Sequence, residues 1–490
     1  MTANRSIPSP RPSPVSGLSR RRLSFAAVFA QAVAAVAPAG SMSIIPALVL
    51  GVSGPNLFIA YACAMVIIFL ISACIRPMAQ RMAAVSGLYS YIAKGLGPSA
   101  AIVGGWSAVF GYGLIGMAGL LAVGTYLTRP LVSLGMTAAT AVPLAVGVMM
   151  LAAVVTASTM IRGIGISSHV VLVAECVSIA VLLSLMVVYL AIVGLPSAGT
   201  SIRRPENDSL GSLAIGTVVA ISAFVGFESS TTLGGEAHKP FVSIPRTIRW
   251  TPLAAGAVYL LSISFQETVL RSASTAVLSS PTPLSDLFGS QASPVMAVLV
   301  DLCIASSFFA VTLASVNALV RVLFCMGREG VIPKAAGRAH SRFRTPYVAI
   351  ATVMPVIAAV PISLTLFGVR AEEGLNALLT LGAYGYLGSY LLACAAMPVF
   401  LHRIGESRAR SWLLASITTG IVAVAGWIAI GSVLQEKPLL PLIFGLAIAA
   451  SLIHLIALRR RRPDQLATVG VYDEPLRSDR LAVDLVHSVR

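Results

Sequence analysis

Apolar stretches long enough to cross a bilayer recur along this chain, separated by short polar segments. A hydrocarbon core takes about 20 helical residues, so each such block predicts one transmembrane helix. Twelve are read, at 24–50, 57–75, 98–127, 134–160, 166–194, 211–233, 250–270, 293–320, 346–368, 373–401, 411–434 and 438–458. The pattern predicts an all-α polytopic membrane protein. Residues 1–22, rich in Pro, Ser and Arg, lack the apolar content for a packed core and are expected to be a disordered cytoplasmic tail. The apolar run from Leu23 to Leu50 is much longer than the roughly 7–15 residues of a signal-peptide core, so it is read as the first span and not as a leader. Residues 23–401 then form a ten-helix core, 402–458 add two helices, and 459–490 form a second cytoplasmic tail.

Composition agrees. Of 490 residues, 57% are hydrophobic and 11% charged, with a mean hydropathy of +0.89. Charge this sparse cannot cover a water-facing surface, since soluble chains carry roughly 25%. The net charge of +16 changes the picture only through its placement. With the amino terminus inside, Arg129, Arg203, Arg204, Arg271, Arg370 and Lys437 are the outer basic residues, and the other 28 of the 34 Lys and Arg lie inside. That asymmetry sets both termini in the cytoplasm, in the plasma or inner membrane. Basic residues clustered at helix ends orient spans and do not form a nucleic-acid surface. Trp106, Trp250 and Trp412 fall near span ends, where interfacial belts lie. The six cysteines, scattered through apolar segments without metal-ligand spacing, read as small buried residues.

Two spans are interrupted. The first contains Val36-Ala37-Pro38-Ala39-Gly40-Ser41, and the sixth contains Phe224-Val225-Gly226-Phe227-Glu228-Ser229-Ser230. They open two five-span blocks, 24–194 and 211–401, and breaks at corresponding places point to an inverted-repeat transporter with a midplane site. Broken helices leave backbone groups that must meet protein, water or a ligand. A zwitterionic amino acid suits both ends. Its carboxylate would accept from N–H groups near Ala37, Ala39, Gly40 and Ser41, and its ammonium would donate to carbonyls near Ala223, Phe224 and Val225. Phe224 and Phe227 would line the side-chain pocket.

Two intramembrane acids stand out. Glu228 lies inside the second break without a neighbouring basic residue; it is either a proton relay, a counter-charge for a cationic solute, or a carboxylate that holds the break open. Glu175, roughly 13 Å into the fifth span at 1.5 Å per residue, is either a relay or an internal partner for a basic residue. Asp301 reads as a solvated helix end. Gly111, Gly113, Gly116 and Gly119 form a small-residue packing face. Ser306, Ser307 and Thr312 offer hydroxyls that more often bond their own backbone than a metal, so neither a metal nor another cofactor is expected. The sequence carries no Walker A lysine, HExxH or GxSxG with plausible partners, so no enzymatic activity is expected.

Several motifs resemble the amino acid–polyamine–organocation permeases, in order over about 24–400. They are Pro38-Ala39-Gly40-Ser41; Arg81 through Tyr91 with Gly95-Leu96-Gly97-Pro98 and Gly105-Trp106; Phe224 through Ser229 with Glu236, Pro240 and Ile244-Pro245-Arg246; and Asn317, Arg321 and Arg328-Glu329-Gly330-Val331-Ile332-Pro333. Glu329 departs from the family's usual R-D-G. The resemblance implies the five-plus-five (LeuT-like) inverted repeat with broken helices 1 and 6, and alternating access. It also implies secondary transport of amino acids, coupled to protons or by exchange, with polyamines or other organic amines as the alternative cargo. Some proton-driven relatives place a lysine in helix 5, where this chain has Glu175 and His169.

Overall fold

The computed structural model describes residues 17–133, 135–194, 210–270, 277, 280 and 282–470. Its regular structure is helical: α1 (Phe25–Val36), α2 (Pro38–Ser53), α3 (Leu57–Ala79), α4 (Leu88–Leu96), α5 (Pro98–Ser133), α6 (Ala138–Arg162), α7 (Ile164–Val193), α8 (Leu210–Ile221), α9 (Pro240–Leu270), α10 (Pro283–Gln291), α11 (Pro294–Arg328), α12 (Tyr347–Leu366), α13 (Ala371–Arg403), α14 (Ala409–Leu434), α15 (Leu439–Arg461) and α16 (Pro463–Ala467). Among the described residues, eleven helical stretches are long and apolar enough to cross a membrane, with α1 and α2 counted together. The remaining expected crossing, 211–233, is α8 followed by turns and a 3₁₀ segment, Phe227–Leu233. Its apolar helix is too short to cross alone, and the total agrees with twelve crossings.

Proline opens α2, α5, α9, α10 and α11, where its missing N–H costs nothing because first-turn donors have no intrahelical partner. The start of α9 at Pro240 lies well before the expected 250, and α4 and α10 were not anticipated. Of these two, only α4 overlaps a motif already singled out, Arg81 through Tyr91 with Gly95-Leu96. It is almost wholly buried.

The helix α5 is the central post, packing against α4, α6, α11, α12, α13 and α15. Its glycines permit this. Gly111 faces Tyr386 and Gly382 on α13, while Gly116 and Gly119 face Val316 and Thr312 on α11. Side chains at these positions would push the helices apart, so the small-residue face acts through van der Waals approach. The pair α1–α2 is almost entirely buried, and α15 is mostly exposed along its length. The exposed residues of α6, α7, α14 and α15 are largely Val, Leu and Ile, a surface suited to lipid. Cys63 on α3 and Cys176 on α7 are exposed, unlike the other four cysteines, because their helix faces point outward.

Both described ends meet one face. Of the expected amino-terminal tail, residues 1–16 lie outside the described residues, but Leu18 is buried with Val85, Phe324 and Cys325. At the other end, α15 runs on to Arg461, Val469 is buried, and the Gly470 N–H donates to Glu329 at 2.8 Å. The described residues therefore reach into both expected tails, with apolar Leu18 and Val469 buried against the helices. Residues 471–490, and Arg203, Arg204 and Arg271, lie outside the described residues.

Candidate solute site at the two helix breaks

The first break is one residue wide. Ala37 takes left-handed backbone angles (φ 47°, ψ 65°), ending α1 and starting α2 in one step. Pro38 has no N–H to offer. The Ala39 N–H donates to Glu175 Oε1 at 2.8 Å, and the Gly40 N–H donates to Ser307 Oγ at 3.0 Å. The Ser307 hydroxyl in turn donates to the same Glu175 oxygen at 2.8 Å. Ser41 closes the first turn with its N–H on Ala37 O at 2.9 Å and its hydroxyl on Val36 O at 3.0 Å. The Phe308 ring lies so near Gly40 that an added Cβ would sit 2.9 Å from it. A carboxylate near a helix amino terminus is favoured by the helix dipole and by these donors, which accounts for a buried acid at depth. Glu175 thus has partners, but they are backbone and serine groups and not the basic residue considered from sequence.

The second break is longer. The end of α8 tightens into i→i−3 bonds, with Ser222, Ala223 and Phe224 N–H groups on Val219, Ala220 and Ile221 carbonyls at 2.9–3.1 Å. Gly226 follows with φ 98°, and a Cβ there would fall 2.8 Å from the Ala35 carbonyl oxygen. Only glycine allows both that backbone angle and that approach, so Gly226 is the point where the second break meets the last turn of α1, two residues before the first break. The Ala223 carbonyl accepts from Tyr259 at 2.6 Å, and Phe224 packs edge-on to Tyr259 with centroids 4.9 Å apart. Phe227 lies against Tyr390, 5.9 Å between centroids.

Glu228 is fully buried. Tyr112 on α5 donates to its Oε1 at 2.9 Å, and the Tyr390 hydroxyl on α13 donates to Oε2. Two neutral donors from two other helices therefore hold the carboxylate, with Tyr386 stacked edge-on to Tyr112. Sequence reasoning named Glu228 but missed its partners. The available signal was Tyr112 and Tyr390 inside apolar helices, since a buried tyrosine hydroxyl needs a polar partner.

On the face holding the chain ends, a buried polar cluster lies beside the breaks. Arg321 on α11 pairs with Glu236 at 2.8 Å, both nearly fully buried, and also donates to Asn317. Asn317 donates to Gln31 Oε1 at 2.8 Å, and the Gln31 amide donates to Ala314 O at 2.8 Å. Leu23 joins the same cluster through its N–H to Glu236 O (3.0 Å) and its carbonyl from His238 N–H (2.9 Å). Towards the other face, a cavity of about 110 Å³ lies between α2, α8, α13 and α14, with Ile45, Ser222, Tyr384 and Ser432 in its wall. Asp301 lies nearer that face yet is buried, 3.5 Å from Arg129, which also bonds Asp286. The expected solvated end is instead a packed ion pair, because Arg129 reaches over it from α5. Of the hydroxyls considered for a metal, Thr312 bonds carbonyls of Phe308 (3.1 Å) and Gly116 (3.3 Å), and Ser307 serves Glu175.

Known proteins share this architecture. A manganese transporter of Eremococcus coleocola, solved as a point mutant, superposes with a TM-score of 0.56 at 13% identity, over 89% of this chain and 97% of its own. That likeness places the fold among LeuT-like transporters. The low-affinity putrescine importer PlaP of Escherichia coli is 25% identical over 62% of this chain and 67% of its own length. The branched-chain amino acid permease BcaP of Bacillus subtilis is 24% identical over 61% of this chain and 65% of its own. The chain thus spans about two thirds of these relatives in the matched region. The family profile described as amino acid permease matches residues 23–456, nearly the whole helical body from the start of α1 into α15. This chain belongs to the amino acid permease family of membrane transporters.

Proposed function

We propose that this chain is a secondary active transporter of small solutes bearing an amino group, amino acids or the related organic amines. It works by alternating access, with protons as the coupling ion for import or exchange. The observation that carries this reading is the contact of the second break with the end of α1 at Ala35–Gly226, beside the first break, with an acid next to it and a buried polar cluster on one side. Residues Ala37, Ala39, Gly40, Ser41, Ala223, Phe224, Val225 and Phe227 form the walls that a solute would meet as the breaks separate. Glu228 ties the second break to α5 and α13 through two hydroxyls, so a change in its protonation alters how those elements hold together. That is the behaviour coupling requires. Membership of the family and the two relatives, named for putrescine and for branched-chain amino acids, support the solute class. The excess of basic residues on the face holding the chain ends supports a cytoplasmic setting for both termini. The ten crossings of 23–401 are the moving core, and the two of 402–458 are additions to it.

The test is uptake into proteoliposomes carrying purified protein, with radiolabelled amino acids and amines, with and without an inward proton gradient. Uptake that saturates, accelerates on counterflow and rises with the gradient is the expected result. Saturable uptake indifferent to the gradient would remove the proton and leave the transporter. Flux that neither saturates nor shows counterflow would overturn carrier transport altogether.

A further inference from the structure

The amino end of α2 is where a solute carboxylate was expected, and it has no donor left. Pro38 lacks an N–H, Ala39 is bonded to Glu175, Gly40 to Ser307, and Ser41 is already within the helix ladder. The Phe308 ring fills the space beside Gly40. The second oxygen of Glu175, Oε2, is buried and has no hydrogen-bond partner among the described residues. A carboxylate from α7 therefore stands at the positive end of α2 with one oxygen bonded and the other available as an acceptor.

We propose that Glu175 replaces the substrate's carboxylate, so that this transporter selects amines lacking an α-carboxylate over amino acids. The inference rests on the reading that the solute bears an amino group, and it names which members of that class fit. An incoming α-carboxylate meets a like charge and must displace Ser307 or Glu175 to reach an N–H group. A primary ammonium group needs no such displacement, since it is a donor and Oε2 is an unused acceptor in a buried setting, where charge-assisted bonds are strong. Selectivity of this kind comes as much from the repulsive element as from the attractive one.

The experiment pairs each amino acid with its decarboxylated amine on the purified full-length protein: leucine with isoamylamine, ornithine with putrescine, serine with ethanolamine. Binding is read by thermal stabilisation, which follows ligand affinity for the folded state. At least one amine is expected to bind at least tenfold more tightly than its parent amino acid. In Glu175→Gln, which keeps an acceptor oxygen for Ala39 while removing the charge, that ratio should fall by at least tenfold. Amino acids binding as well as or better than their amines in the wild type would overturn the inference and leave the wider reading intact. No binding in either series would overturn both. A ratio unchanged in a folded Glu175→Gln protein would reduce Glu175 to a helix cap. If that variant does not fold, the wild-type ratio and Ser307→Ala decide. Ser307→Ala frees the Gly40 N–H, so amino acids should gain affinity relative to amines, and an unchanged ratio there would count against the proposal. A stabilisation seen with sodium chloride alone, absent with choline chloride and blocking amine binding, would assign Oε2 to a metal cation and also overturn it.

Discussion

At the first break the chain turns through the single residue Ala37, whereas at the second it takes the stretch from Ser222 through a 3₁₀ segment ending at Leu233. The first is short of acceptors for its first-turn N–H groups and obtains them from outside, from Glu175 on α7 and Ser307 on α11. The second carries its own acid and obtains donors from outside, Tyr112 on α5 and Tyr390 on α13. Each break is thus completed by side chains from other helices. The difference lies in what a movement must disturb. Moving α2 separates backbone from a carboxylate, while moving the second break separates a carboxylate from two hydroxyls. Both interruptions find partners inside the protein for the groups just named, as lipid demands, while Glu175 Oε2 and the Ser230 and Thr231 hydroxyls stay unbonded among the described residues.

The sharpest way to break this comparison is at its contact point. Gly226→Ala combines a left-handed backbone angle, about 1–2 kcal/mol, with a Cβ driven towards the Ala35 carbonyl, about 1–3 kcal/mol more. Its thermal midpoint should fall below those of the substitutions at Glu228 and Ala37, and uptake should vanish. A midpoint near wild type would mean that the second break does not press against the end of α1. Next comes Glu228→Leu, which leaves two buried tyrosine hydroxyls without an acceptor, at about 1–3 kcal/mol for the first with partial relief at the second. Glu228→Gln retains an acceptor and should recover most of that stability without recovering gradient-driven uptake. Equal midpoints for Leu and Gln would show that the hydroxyls find other partners. The smallest effect carries the opposite sign. Ala37→Gly relieves a left-handed alanine while adding chain entropy to the unfolded state, for a net gain of about 0.5–1 kcal/mol. A loss of stability there would indicate that the Ala37 methyl packing outweighs its backbone cost.

Much of the architecture was legible because it follows from local pattern. Long apolar blocks must be helices in lipid, and Pro38 and Gly226 fall where those helices stop. The glycines of α5 marked a close-packing face. Other features left little trace. Asp301 read as a solvated end, since nothing near it in sequence announces Arg129, 172 positions away. Glu175 was noticed as a buried acid, but its bond to Ala39 spans 136 positions. Glu236, Asn317 and Arg321 stood in motifs noted from sequence, but nothing local showed that they and Gln31, from three segments, would meet in one cluster.

By itself, then, the sequence determined the solvent, the helices and the places where two of them break, because hydrophobic length and helix-breaking residues act over a few turns. The tertiary structure decided which groups complete those breaks. A buried donor or acceptor must find a partner wherever the fold brings one within about 3 Å, and that proximity is a property of packed helices.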